Sequence, residues 1–275
     1  MDFSVLMSVY RNDDPRDFKT ALESVTVCQT LQPSQIVIVQ DGAVPKAIDK
    51  IIDDVKQQAV GIEFTVLKKS KNEGLAAALN DGLKLCENDW VARMDSDDIS
   101  APDRFKKQIG FLSQNKDISA VGGAIAEFER EIGDIQSVRH VELTHDGIKS
   151  MARTRTPMNH VSVMYSKKAV SEVGGYSLSF GRLEDYKLWI DLITAGKKMA
   201  NLEDVLVNVR IGNGFIARRS DRREIRDWDM LQRYLLEGKM IGRSRAMMNR
   251  IYIRVFTYMP SIMKKIAYKT VLRKS

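Results

Sequence analysis

Trp90-Val91-Ala92-Arg93-Met94-Asp95-Ser96-Asp97-Asp98 is a short apolar run that stops on three carboxylates within four residues. A run of this length, bounded by polar residues, predicts a strand. The same reading applies upstream. Phe3 to Tyr10 ends at Tyr10-Arg11-Asn12, Ile36-Val37-Ile38-Val39 ends at Gln40-Asp41-Gly42, and Ile62 to Leu67 forms a further strand. Between them lie helical spacings. Phe18, Leu22 and Val25 follow an Asp13-Asp14-Pro15 helix entry; Ile48, Ile51, Ile52 and Val55 make a second set, and Leu75, Leu79 and Leu83 a third. Strand and helix therefore alternate through three units. This predicts an α/β protein with a mostly parallel central sheet flanked by helices on both faces.

After Pro102 the rhythm changes. Phe105, Ile109 and Leu112 predict a helix, and Ala120 to Glu129 and Gln136 to Val141 two antiparallel strands. A helix at Asp146 to Ala152, a strand at Val161 to Tyr165 and a helix from Lys168 to Val173 follow, stopped by Gly174-Gly175. Leu183 to Ala195 reads as helix, Met199 to Val209 as extended chain, and Ile225, Trp228, Leu231 and Leu235 as a further helix.

The 275 residues suffice for one large domain with a small appendage. No stretch approaches the roughly 18 to 20 apolar residues of a spanning helix. The opening Met1-Asp2-Phe3-Ser4 has no basic leader, so no cleaved signal peptide is expected and the location is cytoplasmic. Cys28 and Cys86 sit in apolar-periodic segments and read as two reduced, mostly buried thiols. The net charge of +7 is uneven: Arg210 to Ser275 carries 17 basic and 5 acidic residues, while the first 209 residues carry 26 and 31.

In open α/β sheets ligands bind beyond the carboxyl ends of the strands. Asp95, Asp97 and Asp98 lie just past such an end, where they repel one another unless a cation or donor offsets them. Hard oxygen ligands with few protein contacts suit Mg²⁺ or Mn²⁺ already attached to a diphosphate. A solvated turn and helix cap before Ile99 is the other reading of the same residues. There is no G-x-G-x-x-G after the first strand and no G-x-x-x-x-G-K-[ST] anywhere, which disfavours a nicotinamide dehydrogenase or a P-loop kinase.

Five stretches in order carry a family resemblance: Ser4 to Tyr10, Val39-Gln40-Asp41-Gly42, Asn72-Glu73-Gly74-Leu75-Ala76 with Leu79-Asn80, Ala92 to Asp98, and Gly174-Gly175-Tyr176 followed by Glu184-Asp185-Tyr186-Lys187-Leu188-Trp189. Over roughly residues 3 to 215 the chain resembles the family 2 inverting glycosyltransferases of the GT-A (Rossmann-like) fold, of the bacterial O-antigen, capsule and exopolysaccharide kind. The resemblance implies a GT-A domain over 1–215, with a nucleotide-sugar half to about residue 100 and an acceptor half beyond it. It implies a donor, a UDP-sugar, and a divalent Mn²⁺ or Mg²⁺ held by Asp97. Asp41 would recognise the base with Tyr10 beside it, Asp95 would bind ribose or sugar, and Arg93 and Asn72 would hold the donor. Asp185 would be the general base and Glu184 its neighbour. The acceptor implied is an undecaprenyl-diphosphate-linked saccharide. His160 and Trp189 fall where such enzymes line the acceptor cleft, a satisfied structural histidine being the other reading of His160. One departure stands out: where many relatives read L-W-x-R, this chain has Leu188-Trp189-Ile190-Asp191.

Two features lie beyond those motifs. Arg218 and Arg219 follow Gly212-Asn213-Gly214 and either start a solvated basic helix or close over the diphosphate. Residues 216–275 read as a basic helical extension, with Met247, Met248, Ile251, Val255 and Tyr258 interleaved with Arg245, Arg250 and Arg254. Such a segment suits the anionic inner face of the cytoplasmic membrane. Packing on the catalytic domain, or on a second subunit in a homodimer, is the alternative. Two other classes remain. A sugar-phosphate nucleotidylyltransferase needs a Gly-rich basic loop that nothing between Met1 and Arg16 supplies. A nucleic-acid-binding protein would use the basic tail but leave the acidic motifs without purpose, so no nucleic-acid partner is expected.

Overall fold

A computed structural model describes residues 1–129, 131–211, 222–260 and 263. The N-terminal half is the predicted alternation: β1 (Phe3–Val9), α1 (Pro15–Ser24), β2 (Gln35–Gln40), α2 (Lys46–Gln58), β3 (Glu63–Lys68), α3 (Leu75–Leu85) and β4 (Trp90–Met94). Asp14 caps α1 by accepting from the Arg16 amide, and Pro15 occupies the first turn where no donor is needed. Then come β5 (Ile99–Ser100), α4 (Arg104–Gln114), β6 (Ile118–Phe128), β7 (Ile135–Arg139), α5 (His145–Met151), β8 (Met164–Ser166), α6 (Lys167–Glu172), α7 (Glu184–Thr194), β9 (Lys198–Arg210), α8 (Arg222–Glu237) and α9 (Arg243–Tyr258).

The nine strands form one sheet in the order β3-β2-β1-β4-β8-β6-β9-β5, with β7 added to β6. The first four strands are mutually parallel, so β1, β2 and β4 deliver their carboxyl ends to the same edge. Antiparallel β8 then joins the parallel block to β6, which runs parallel to β9.

Both faces of the parallel block are covered. Val5, Met7, Val9, Ile36 and Ile38 pack with Phe18, Leu22, Ile48 and Phe105 on one side. Leu6, Val37 and Val39 pack with Leu79, Leu83, Val170, Trp189 and Leu192 on the other. That period-two split inside continuous apolar strands is what burial on two faces requires. α3 lies close on the sheet because Gly82 has no side chain: a Cβ there would come within 2.4 Å of Leu6 Cδ1 and 2.7 Å of Val39 Cγ2.

Two expectations are corrected. The strand expected at Val161 to Tyr165 is a 3-10 turn, His160–Ser162, followed by the three-residue β8. Cys86 is buried as expected, its thiol pushed up to about 12 by burial, but Cys28 is exposed because α1 ends at Ser24 and the following turn points it outward. Within the basic extension, Leu231 and Leu235 of α8, and Ile241 after it, enter the same core cluster as Trp189. Among the described residues no helix is long and apolar enough to cross a membrane.

Candidate active site

The shared carboxyl edge of β1, β2 and β4 gathers most of the singled-out residues. Tyr10, at the end of β1, is 39% exposed. Its amide donates to Asp13 Oδ2 at 3.0 Å, and Ser96 Oγ donates to the same oxygen at 2.8 Å, so Asp13 ties the β1 end to the acidic loop. Asp13 was legible only as part of a helix entry; its distant partner Ser96 makes it a site residue. Burial, and then Asp95 after the lowering effect of its hydrogen bonds, leaves its carboxyl above the usual range.

Asp95 pairs with Arg93, which is almost completely buried. Asp97 is exposed at the tip of the loop; partial dehydration, then Asp95 and Asp13, push its carboxyl up to about 6. Asp98 is buried, accepts from the Arg210 amide at 2.9 Å, and is raised by burial and by both neighbouring acids. Arg210 also donates through Nε to the Asp97 carbonyl at 3.3 Å and pairs with Asp17 at 3.1 Å. It thereby fastens the end of β9 to the acidic loop. Behind the loop, Arg104 is fully buried and donates to the Arg93 carbonyl at 2.8 Å, beside another buried cation that lowers it to about 9 after burial itself. Nothing in the sequence marks Arg104, because besides Gln108 and Met94 its partners are carbonyl oxygens brought by β4 and the turn before β8.

Among the described residues no three His, Cys, Asp or Glu side chains converge on one point. A self-sufficient protein cage is therefore absent from them. Instead four acids, Asp13, Asp95, Asp97 and Asp98, share one region with Arg93 as the cation that acts on three of them. That donor set fits a divalent ion arriving with phosphate oxygens of its own.

Asp41 is 3% exposed, and its two oxygens accept from the Glu73 and Gly74 amides, both at 2.9 Å. Asn72 Nδ2 donates back to the Asp41 carbonyl at 3.1 Å. Asp41 thus latches the β2 end to the turn that starts α3, rather than standing free in the edge. Gly42 is required beside it: its φ is +85°, and a Cβ would lie 2.7 Å from the Asn72 nitrogen.

On the other side, Glu184 and Asp185 open α7. Glu184 is 7% exposed, its Oε2 has no hydrogen-bond partner, and burial followed by Asp185 pushes it up to about 8. Arg93 and Asp95 are near enough to act on it electrostatically. A cavity of about 780 Å³ runs from Glu73, Gly74 and Leu75 to Leu178, Arg182 and Glu184. Asn80 closes its inner end, accepting from the Tyr176 amide at 2.8 Å and donating to the Tyr176 carbonyl at 2.7 Å. His160 sits 2.9 Å from Tyr176 Oη and edge-on to Trp189, and burial followed by Arg93 holds it well below the usual histidine range, hence neutral. Trp189 is fully buried with Nε1 unpartnered, so it supports His160 from beneath instead of presenting a face to a ligand. Arg218 and Arg219 lie outside the described residues.

A strand-end acidic loop on an α/β sheet, within electrostatic reach of Glu184 at the head of α7, is the arrangement of a nucleotide-sugar enzyme, and solved GT-A glycosyltransferases share the fold. S. aureus TarS superposes with a TM-score of 0.68 at 15% identity, over 99% of this chain and 46% of that one. Its 1–349 fragment in complex with UDP-GlcNAc gives 0.62 at 14%, over 98% and 76%. A mannosyltransferase from Pyrobaculum calidifontis in complex with GDP-Man and Mn²⁺ gives 0.63 at 14%, over 98% and 75%. The profile of the family described as Glycosyl transferase family 2 matches residues 4–174. The chain belongs to that family and is a glycosyltransferase. It is 38% identical to an uncharacterized glycosyltransferase of Haemophilus influenzae over the whole of both chains. It is 35% identical to the amylovoran biosynthesis glycosyltransferase AmsE of Erwinia amylovora over 89% of each, and 31% identical to an Escherichia coli UDP-Gal:alpha-D-GlcNAc-diphosphoundecaprenol beta-1,3-galactosyltransferase over 99% of this chain and 97% of that one.

Proposed function

We propose that this chain is an inverting glycosyltransferase of bacterial surface-polysaccharide synthesis. It moves a hexosyl or N-acetylhexosaminyl unit from a UDP-sugar to a hydroxyl of an undecaprenyl-diphosphate-linked saccharide at the inner face of the cytoplasmic membrane. The observation that carries this reading is the acidic loop Asp95–Asp98, with Arg93, set within electrostatic reach of Glu184 at the head of α7. The names of the AmsE and galactosyltransferase relatives support the polysaccharide setting, the UDP-sugar and the lipid-linked acceptor.

Asp97, with Asp95 beside it, would hold Mg²⁺ or Mn²⁺ on the donor diphosphate. When bound, the ion neutralises charge on the leaving diphosphate. Arg93 fixes the Asp95 carboxylate toward ribose or sugar, and Tyr10 offers an exposed ring beside the base. Asp41 shapes that end of the pocket through the Glu73–Gly74 amides it holds. Asp185 accepts the proton of the acceptor hydroxyl as that oxygen attacks the anomeric carbon. Glu184, raised to about 8 by burial and then by Asp185, keeps its proton at neutral pH and leaves the base role to Asp185. A single base on the face opposite the leaving group gives one displacement, hence inversion. His160 lines the acceptor side as a neutral imidazole.

Calorimetric titration with UDP, GDP and dTDP, each with and without Mn²⁺, tests the donor half. Metal-dependent binding of UDP alone is the expected result; a folded protein that binds none of them refutes the reading. Asp97→Ala is expected to abolish the metal-dependent binding. Asp185→Asn is expected to leave it intact while turnover falls by about 10²-fold or more. Near wild-type transfer by Asp185→Asn removes the base assignment.

A further inference from the structure

The surface helix α9 is built the wrong way round for a helix that ends at solvent. Ala246, Ile253 and Thr257 face inward. Arg250 and Arg254 reach Asp229 of α8 at 3.5 and 2.6 Å. The outward face is the apolar one: Met247, Ile251, Val255 and Tyr258 follow one another along one stripe, with Met248 and Tyr252 alongside, each between 50% and 65% exposed. An ordinary surface helix turns such residues to the core. A contiguous exposed set of this kind marks an interaction surface.

We infer that the outward face of α9 is the surface by which this enzyme docks on an anionic lipid bilayer. The inference rests on the lipid-linked acceptor proposed above and names the surface that reaches it. Charge complementarity selects the occupant. From Gly238 to Ser275 the sequence has ten basic residues and no acidic one. Arg243 and Arg245 are exposed at the start of the helix. Beside them a cavity of about 520 Å³ is lined by Arg153, Arg155 and Arg245 against one acid, Glu142, so the turn after α5 adds net positive charge to the same edge. An apolar strip rimmed by arginines suits a helix lying flat, its apolar side among acyl chains and its cations at the headgroups. A second copy of the chain fits worse, since a two-fold pairing of this face brings arginine rims together with no acid on either helix.

The docking surface is fixed to the chemistry. Asp229 sits on the helix whose Leu231 and Leu235 pack in the core with Trp189, on the same α7 that begins with Glu184. A bilayer seated on α9 therefore sets the direction from which a membrane-borne acceptor meets the Glu184 cavity.

Co-sedimentation of the full chain tests this, using vesicles of phosphatidylcholine alone or mixed with phosphatidylglycerol, at about 0.1 M and about 0.5 M salt. The wild type is expected to sediment with the anionic vesicles only, and less at high salt. The triple variant Met248→Ser/Ile251→Ser/Val255→Ser and the rim variant Arg243→Gln/Arg245→Gln are each expected to lose about tenfold or more of that binding. Both should bind UDP as the wild type does, which reports intact folding and reads the donor assignment separately. A triple variant that sediments like the wild type overturns the surface while leaving membrane association standing. A wild type that ignores anionic vesicles overturns docking altogether. A wild-type dimer that the triple variant converts to monomer assigns the face to a second copy and overturns the lipid reading.

Discussion

Glu184 combines two properties that an exposed helix-start acid lacks: only 7% of it is accessible, and its Oε2 has no hydrogen-bond partner. Burial and Asp185 raise its carboxyl from 4.5 to about 8. The folded protein thus holds this proton more tightly than the unfolded chain does. The resulting contribution to stability is fully present below about pH 4.5 and is lost as pH rises through about 8. Glu184→Gln cannot ionise and should lack that slope. Urea unfolding of both proteins at pH 5 and pH 8 is expected to show the wild type losing about 2–4 kcal/mol more than the variant over this range. Equal losses would mean that Glu184 ionises freely in the folded state. The same buried acid fits the proposed division of roles between Glu184 and Asp185, since two adjacent carboxylates do not both ionise easily in one dry site.

At the scale of elements, α7 is the piece whose seating governs that pair. Asp191, the acid standing where many relatives carry arginine, is 8% exposed and accepts from Lys187 Nζ at 2.5 Å and from Tyr234 Oη at 2.6 Å. Lys187 Nζ also lies 4.4 Å from the centre of the Tyr234 ring. The departure from the family pattern is therefore a tie between α7 and α8, within one chain. Tyr234→Phe keeps the ring and removes the hydroxyl, leaving one buried oxygen of Asp191 short of a partner. It is expected to cost about 1–2 kcal/mol of stability and to lower turnover more than UDP affinity, because the tie seats α7 and not the donor edge. Denaturant midpoints with kcat and UDP titration check both halves; a change confined to UDP affinity would contradict the tie. Elements of this kind show what was legible in advance. Strong apolar periods announced β1 to β4 and their helices, and the acidic loop was visible because three acids crowded at a strand end repel one another unless a cation or donor offsets them. The two-residue β5 was not visible, and β8 was legible only inside a longer strand placed at Val161 to Tyr165, since strands that short are bounded by partners supplied from β9, β4 and β6. Asp13 and Arg104 hid for the same reason: their roles reside in Ser96 and in the Arg93 carbonyl. Asp41 was legible as a site residue, but its latch on the Glu73 and Gly74 amides was not.

For the whole molecule, the question is where the catalytic body stops. The change in charge near Arg210 and the motifs ending before it suggest about residue 215, with a basic extension after it. Burial draws a different line. Leu231 and Leu235 are wholly buried, Ile241 nearly so, and Trp228 and Tyr234 pack against the same cluster as Trp189 and Leu192. Each buried leucine or isoleucine is worth about 1.5–3 kcal/mol, and the aromatic contacts add to that. Their sum approaches the roughly 5–15 kcal/mol that holds a domain of ordinary stability together. α9 contributes less, burying Ala246 and Ile253 while turning its larger apolar residues outward. Two truncations separate these roles. A chain ending at residue 215 strips the cover from Trp189 and should show no cooperative thermal transition. A chain ending at residue 242 keeps α8 and Ile241, and should melt cooperatively at a lower temperature, bind UDP, and fail to sediment with anionic vesicles. Circular dichroism melts read the first difference and vesicle sedimentation the second. Cooperative melting of the 215-residue chain would put the boundary back where the charge pattern drew it, and would make α8 a lid on a body already complete.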